Sequence, residues 1–235
     1  MLHCLPGSQL RVRPGIRPTE GLVHPDELID LGGYRVASLA RAAFDEMRLA
    51  RGIREAVVAI DMAISITSQV PHTNVDEIRR VIDSHFKVRG IVQARKALAL
   101  ADPRSASPSE SRTRLIAGID AGLSELLVNV PVFDDRGDLI GIVDLLEPAS
   151  GLVIESDGDH HLDRATATAD NHRQERGEQS GLTFVRITAD DRRQRWATVG
   201  RIHRAHEQAK RRTDRRWTIK KPAWWAESRL AARWA

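Results

Sequence analysis

Apolar residues recur at two different periods along this chain, and the change of period divides it. After a start dominated by Pro, Gly and polar residues up to Gly33, Leu39, Ala42, Ala43 and Met47 follow helical spacing, as do Val57, Ile60, Ala63 and Ile64. In HTNVDEIRRVIDSHF, Asn74 stands three residues before Glu77 and can cap a helix whose apolar face is Val75, Ile78, Val81 and Ile82. VQARKALALA adds a fourth helical stretch. A small, mainly helical subdomain over residues 1–100 is the expectation, with no catalytic constellation of its own.

The segment ADPRSASPSES is loop chemistry and marks a boundary. Ser107, Pro108 and Glu110 fall at the N-cap, first and third positions of a capping box, which predicts a helix running to about residue 121. Then the period shortens. Residues 126–133, 139–146 and 152–156 are rich in Val, Ile and Leu and are separated by the turn signals DDRG and EPASG, a three-strand meander. A helix over 167–179, a strand over 182–188 and a basic helix from about Asp190 complete the pattern. This order predicts an α/β (α+β) domain over 101–191, with a mixed central sheet flanked by helices.

Charge adds a third region. The chain of 235 residues carries a formal net charge of +4, but residues 192–235 hold 14 basic and 3 acidic residues, so the remainder is net negative. All five tryptophans, Trp196, Trp217, Trp224, Trp225 and Trp234, lie in that basic end. Basic charge interleaved with large aromatics suits phosphate backbones and base faces. Trp224 and Trp225 could equally staple this segment to the body. His172, His203 and His206 read as surface residues. The single cysteine, Cys4, excludes an internal disulfide and a thiolate zinc site. No apolar run approaches the ~20 residues that span a bilayer, and the opening lacks the apolar stretch of a signal peptide, so a cytoplasmic protein is expected.

Two strands that otherwise read as core each carry an acid, Asp144 in GIVDLL and Glu155 in LVIES. Ionised carboxylates among apolar residues are costly unless paired or bound to a metal. If EPASG is a tight connection, Leu146 falls near Leu152 and Asp144 comes opposite Ile154 or Glu155. Like charges that close call for a cation, and hard oxygen ligands suit Mg²⁺ (or Mn²⁺). Ser156, Asp157, Gly158, Asp159, His160 and His161 follow at once, acids and imidazoles clustered at a strand's carboxyl end.

The run SPSES, GIVDLL, VIESDGDHH, ADNHR and FVRITADD, in that order over about 85 residues, resembles the very-short-patch-repair-like endonuclease domains of the PD-(D/E)XK superfamily, common in actinobacterial proteins. Upstream, GYRVASLARAAFDEMR and REAVVAIDMAI resemble the middle region of proteins named after the abortive-infection antitoxin AbiEi, here without the winged helix of longer relatives. The resemblance implies a restriction endonuclease-like core in which Asp144 and Glu155 hold Mg²⁺ and Glu110 is the glutamate of the first core helix. It departs from the pattern at one point: the motif's lysine position is Asp157, and no lysine occurs between Lys96 and Lys210. Endonucleases of the very-short-patch type use an Asp and histidines, which points to His160 or His161 for proton handling. Asp157 would be a third metal carboxylate or would orient a histidine.

The implied reaction is metal-dependent hydrolysis of a DNA phosphodiester, double-stranded DNA being the expected partner, with a toxin or repair protein as a further one and no small-molecule cofactor. Asp170, Arg173 and Arg186 match family positions, and Arg173 and Arg186 would contact the scissile phosphate unless they pair with nearby acids. Arg192, Arg193, Arg195, Lys210, Arg211 and Arg212 would neutralise the DNA backbone, so that removing 192–235 weakens binding and flattens its salt dependence. The alternative is a nucleic-acid-binding regulator of antitoxin type with weak catalysis or none.

Overall fold

The computed structural model describes residues 2–4, 11–15, 18–68, 73–157 and 164–228. The chain divides into two units, Met1–Ile64 with Val70–Ala101, and Ser65–Gln69 with Asp102–Ala235.

In the first unit, β1 (Leu2–Cys4) and β2 (Pro18–Glu20) pair in parallel, and β3 (Leu28–Leu31) and β4 (Tyr34–Ala37) form an antiparallel hairpin. Residues up to Gly33 were expected as loop, so these strands are a correction. Their side chains are mostly exposed where they are described, which leaves no apolar alternation to read, and the hairpin turn needs positive φ at Gly32 (62°) and Gly33 (87°). Four helices follow: α1 (Leu39–Leu49), α2 (Ile53–Ile64), α3 (Val75–Ser84) and α4 (Ile91–Leu100). Ser38 caps α1, and Asn74 caps α3 as expected, its side chain accepting from the Glu77 amide at 2.9 Å. The buried face of α1 is Ala40, Ala43, Phe44 and Met47, while Leu39 is exposed. That face also carries Arg41 and Asp45, both buried.

The second unit is α+β. It contains α5 (Pro108–Leu115), which runs into a π-helical turn at Ile116–Asp120, then β5 (Leu127–Asp134), β6 (Leu139–Glu147), β7 (Leu152–Ser156), α6 (Arg164–Gln179) and β8 (Thr183–Ile187). After these come α7 (Ala189–Arg193), α8 (Arg195–Lys210), β9 (Trp217–Thr218) and a 3₁₀ turn at Ala223–Glu227. The sheet order is β8–β7–β6–β5–β9, and only β7 and β8 run parallel, joined by the α6 crossover. One apolar cluster joins Leu145, Ile154 and Ile187 of the sheet to Ala117, Val199 and Ile202; another joins Val143, Leu146 and Val153 to Leu182 and Trp217.

The basic end is built into this unit. Strand β9 pairs with β5, α8 contributes Val199, Ile202 and Ala209 to the core, and Trp217 and Trp225 are buried. Trp225 meets Phe133 edge to face at 5.4 Å, and the Trp224 indole donates to the Gly137 carbonyl at 3.1 Å. Both tryptophans therefore act as staples. Deleting 192–235 would remove a strand and part of the core, so only point substitutions can test DNA contacts there. Among the described residues no helix is long and apolar enough to cross a membrane.

Candidate active site

Strands β6 and β7 pair Leu145 with Ile154, Leu146 with Val153 and Glu147 with Leu152. This is one residue away from the expected meeting of Leu146 with Leu152. The turn sets the difference: Glu147 accepts from the Ser150 amide at 2.7 Å, and Gly151 closes the loop at φ 79°. One step further along the register Asp144 stands opposite Glu155, and β8 places Arg186 beside Glu155 on the other side. Residues in register share a face of the sheet, so three ionisable groups form a row across three strands.

Both carboxylates are recessed but retain some exposure to water. Asp144 accepts from the Ser156 amide at 2.7 Å. Burial pushes its carboxyl well above the usual range, and the charges of Glu155 and Glu110 push the same way against Ser156 and Arg173. Burial raises Glu155 as well, opposed by Arg173 and Arg186. Arg173 reaches from α6 to donate to Glu155 Oε1 at 3.0 Å and to the Ile142 carbonyl at 3.2 Å, with Asp170 at 3.8 Å. It thus pairs with acids as one reading of the sequence allowed.

Gly141 makes room for that arginine. A Cβ there would lie 2.6 Å from Arg173 Cδ. Glycine inside a strand is a signal of close approach, and here it was legible in LIGIVD. Gly141→Ala is expected to displace Arg173 from Glu155 and to weaken any Mg²⁺ binding at these acids about ten-fold or more, as loss of a ligand's supporting partner does. Mg²⁺ titration of the variant by calorimetry checks this.

Glu110 is not half of a reciprocal capping box. Ser107 Oγ accepts from the Glu110 amide at 3.2 Å, but the Glu110 carboxylate accepts from the Ala106 amide at 2.8 Å and from Asn129 Nδ2 at 2.6 Å. Asn129 is a functional candidate that sequence reading missed. It sits in β5 at φ 46°, between the Val128–Leu145 and Val130–Val143 pairs, on the strand facing Asp144. A polar amide in an otherwise apolar strand was the available signal. Ser156 Oγ bonds Thr113 Oγ1 at 2.6 Å, tying the end of β7 to α5.

The remaining expected residues separate. The Asp157 amide donates to the Ile187 carbonyl at 2.9 Å. Among the described residues Asp157, Glu110, Asp144 and Glu155 form no triple of ligand atoms close enough to share an ion; the triple that does so is His24, Glu27 and His85 in the first unit. His160 and His161 lie outside the described residues. Arg192 braces the strand ends, donating to Ser109 Oγ at 3.1 Å and towards the carbonyls of Asp157 and Ile187. Arg193 pairs with Asp190, Lys210 with Glu207 at 3.1 Å, and Arg195 with Asp120 at 3.8 Å while covering the exposed Trp196 ring. Arg212 is spent on Asp214 and on the carbonyls of Leu182 and Glu178, which makes it a brace; Arg211 is exposed. His172 and His203 are exposed as expected, His203 also meeting the Ala121 carbonyl at 2.9 Å, whereas His206 is half-buried and meets Glu147 at 3.5 Å.

The chain is similar to two mycobacterial proteins, "Uncharacterized protein Rv2248" of Mycobacterium tuberculosis strain H37Rv and "Uncharacterized protein MT2308" of strain CDC 1551. Each is 32% identical over 206 residues, which cover 84% of this chain and 73% of that protein. No family model matches the chain, and no solved structure matches it.

Proposed function

We propose that this chain, which belongs to the family of those Mycobacterium tuberculosis proteins, is a metal-dependent endonuclease that hydrolyses DNA phosphodiester bonds. The reading rests on one observation: Asp144 and Glu155, from adjacent strands, are brought into register in a recessed position where their combined charge is only partly met by Arg173 and Arg186. Hard carboxylate oxygens with an uncompensated charge fit Mg²⁺ or Mn²⁺, and Asp144 and Glu155 would hold the ion. Such an ion, when bound, polarises a phosphate and acidifies a water molecule. Arg173 fixes the orientation of Glu155, and Arg186 on the same face offers positive charge to the phosphate. Glu110 and Asn129 orient one another behind Asp144. His160 or His161 would accept the proton of the attacking water. The order of α5, the three-strand meander, α6 and β8 supports the resemblance to a restriction endonuclease-like core.

A second reading, a DNA-binding regulator of antitoxin type, is favoured by Asp157 at the position of the motif lysine. Supercoiled plasmid separates the two. With Mg²⁺ or Mn²⁺ the wild type is expected to nick or linearise it, and Asp144→Ala and Glu155→Ala to lose that activity by at least about a hundred-fold, in keeping with removal of a group that acts in the transition state. Equal activity in all three proteins would remove the assigned site. No cleavage together with salt-sensitive binding to the same plasmid would favour the regulator.

A further inference from the structure

We propose a transition-metal site in the first unit, formed by His24, Glu27 and His85 and taking Zn²⁺ or a neighbouring divalent ion of the first row. One ring nitrogen of each histidine and one carboxylate oxygen of Glu27 lie within 4.8 Å of one another. The local sequence builds half of it. His24 precedes the 3₁₀ turn Pro25–Glu27, and Glu27 Oε2 accepts from the His24 amide at 3.1 Å, so the two side chains leave one rigid turn together. His85 arrives from the end of α3, 58 residues away, and its ring lies 5.0 Å from that of His24.

Two features of these side chains call for a cation. His24 Nε2 is buried and makes no hydrogen bond. His85 Nε2 stands 2.5 Å from Glu27 Oε1, an acceptor, and 3.2 Å from Arg41 Nη1, a donor. A protonated Nε2 satisfies Glu27 and opposes Arg41; a bare lone pair satisfies Arg41 and opposes Glu27. A metal ion taken by the Nε2 lone pair and by Oε1 removes the conflict, with Arg41 drawing back. Arg41 stays anchored, because it also donates to Glu27 Oε2 at 2.5 Å and to Asp45 Oδ2 at 2.9 Å. Glu27 then presents one oxygen to the ion and the other to an arginine, an outer partner of the kind that orients metal ligands.

Glu27 lines a cavity of ≈480 Å³, whose wall also carries Asp26, Glu77 and Arg80, two acids and one base beside the Glu27 carboxylate. Two imidazoles and one carboxylate make a donor set for Zn²⁺ and its neighbours, not for Mg²⁺, and three protein ligands leave a fourth position for water or a further ligand. The site is independent of the acids on β6 and β7 and of the reading of those acids as a nuclease centre.

The test uses the full chain stripped with a chelator, with Co²⁺ followed by visible absorption in excess Mg²⁺ and Zn²⁺ by calorimetry. One ion per chain is expected. His24→Ala, whose ring is only partly buried, is expected to weaken Co²⁺ binding by at least about ten-fold while circular dichroism stays unchanged, and His85→Gln to do the same. Absence of Co²⁺ bands and of Zn²⁺ heat at millimolar ion overturns the proposal. So does a folded His24→Ala that binds as wild type.

Discussion

Asp144→Asn is expected to melt above the wild type near neutral pH and to cleave no plasmid. Its carboxyl is raised well above the ordinary 3.8 by burial first, and then by Glu155 and Glu110. A raised acid holds its proton more tightly in the folded than in the unfolded chain, so stability falls as pH climbs from the unfolded value through the folded one. At neutral pH, above the unfolded value of 3.8, the wild type carries that cost. An amide carries none of it and still accepts from the Ser156 amide. For a chain of this size each kcal/mol recovered is worth about 2–4 °C, so a gain of a few degrees is the expected result. Well below the unfolded value of 3.8 the two proteins should converge, since the wild-type carboxyl is then protonated in both states.

Mg²⁺ sharpens the comparison. An ion bound only by the folded state adds about 2.7 kcal/mol at a hundred times its Kd, so the wild type should rise on Mg²⁺ addition and Asp144→Asn should not. Glu155→Gln is expected to behave differently, because it removes the charge that Arg173 pairs with at 3.0 Å and leaves that arginine the Ile142 carbonyl and the 3.8 Å contact to Asp170. Calorimetric melting across pH, with and without Mg²⁺, reads all three proteins. Lower melting of Asp144→Asn at neutral pH would contradict the picture of two carboxylates held together at a cost.

Arg41→Ala should destabilise the first unit by about 3–5 kcal/mol, the loss that follows when one partner of a buried ion pair is removed. Arg41 is 2% exposed and joins Glu27, Asp45 and the Leu22 carbonyl, with its guanidinium 5.8 Å from the Phe44 ring centre. Burial alone would raise both acids. Bonds from His85, the His24 amide and Arg41 outweigh it at Glu27, and Arg41 and Arg48 outweigh it at Asp45, so both carboxyls sit below their ordinary values. Their stabilisation is present above the unfolded values of 4.5 and 3.8 and is lost as pH falls through the lower folded ones. The deficit of Arg41→Ala should therefore be largest at neutral pH and shrink in acid. Hydrogen exchange over α1 to α4 reports it unit by unit. The triple substitution Arg41→Met, Glu27→Gln, Asp45→Asn should recover most of the loss, since it removes the charges together.

These two expectations draw on information of different range. Asp144 and Glu155 were legible in the chain because the cost of a charge in an apolar strand is a property of single positions and their immediate neighbours. The same holds for α5, α6 and β5 to β8, whose periods and turn residues act over a few positions, and for the Asn74 and Ser107 caps. The one basic helix expected from about Asp190 is broken at Gln194 into α7 and α8. Strand β9, two residues long, has no period to detect. A count of basic residues did not separate arginines that hold carbonyls, such as Arg212, Arg215 and Arg216, from those turned to solvent.

What the sequence determined by itself, then, was the order of elements in the second unit and the two acids placed against its core. The tertiary structure alone decided that Asp144 faces Glu155, that Arg173 from α6 lies on Glu155 in the space left by Gly141, and that Asn129 turns its amide to Glu110. It alone assembled His24, Glu27, Arg41, Asp45 and His85, with Glu27 and His85 58 residues apart. Register and through-space pairing depend on how distant segments close on one another. Local spacing constrains that closure only through the core it helps to bury.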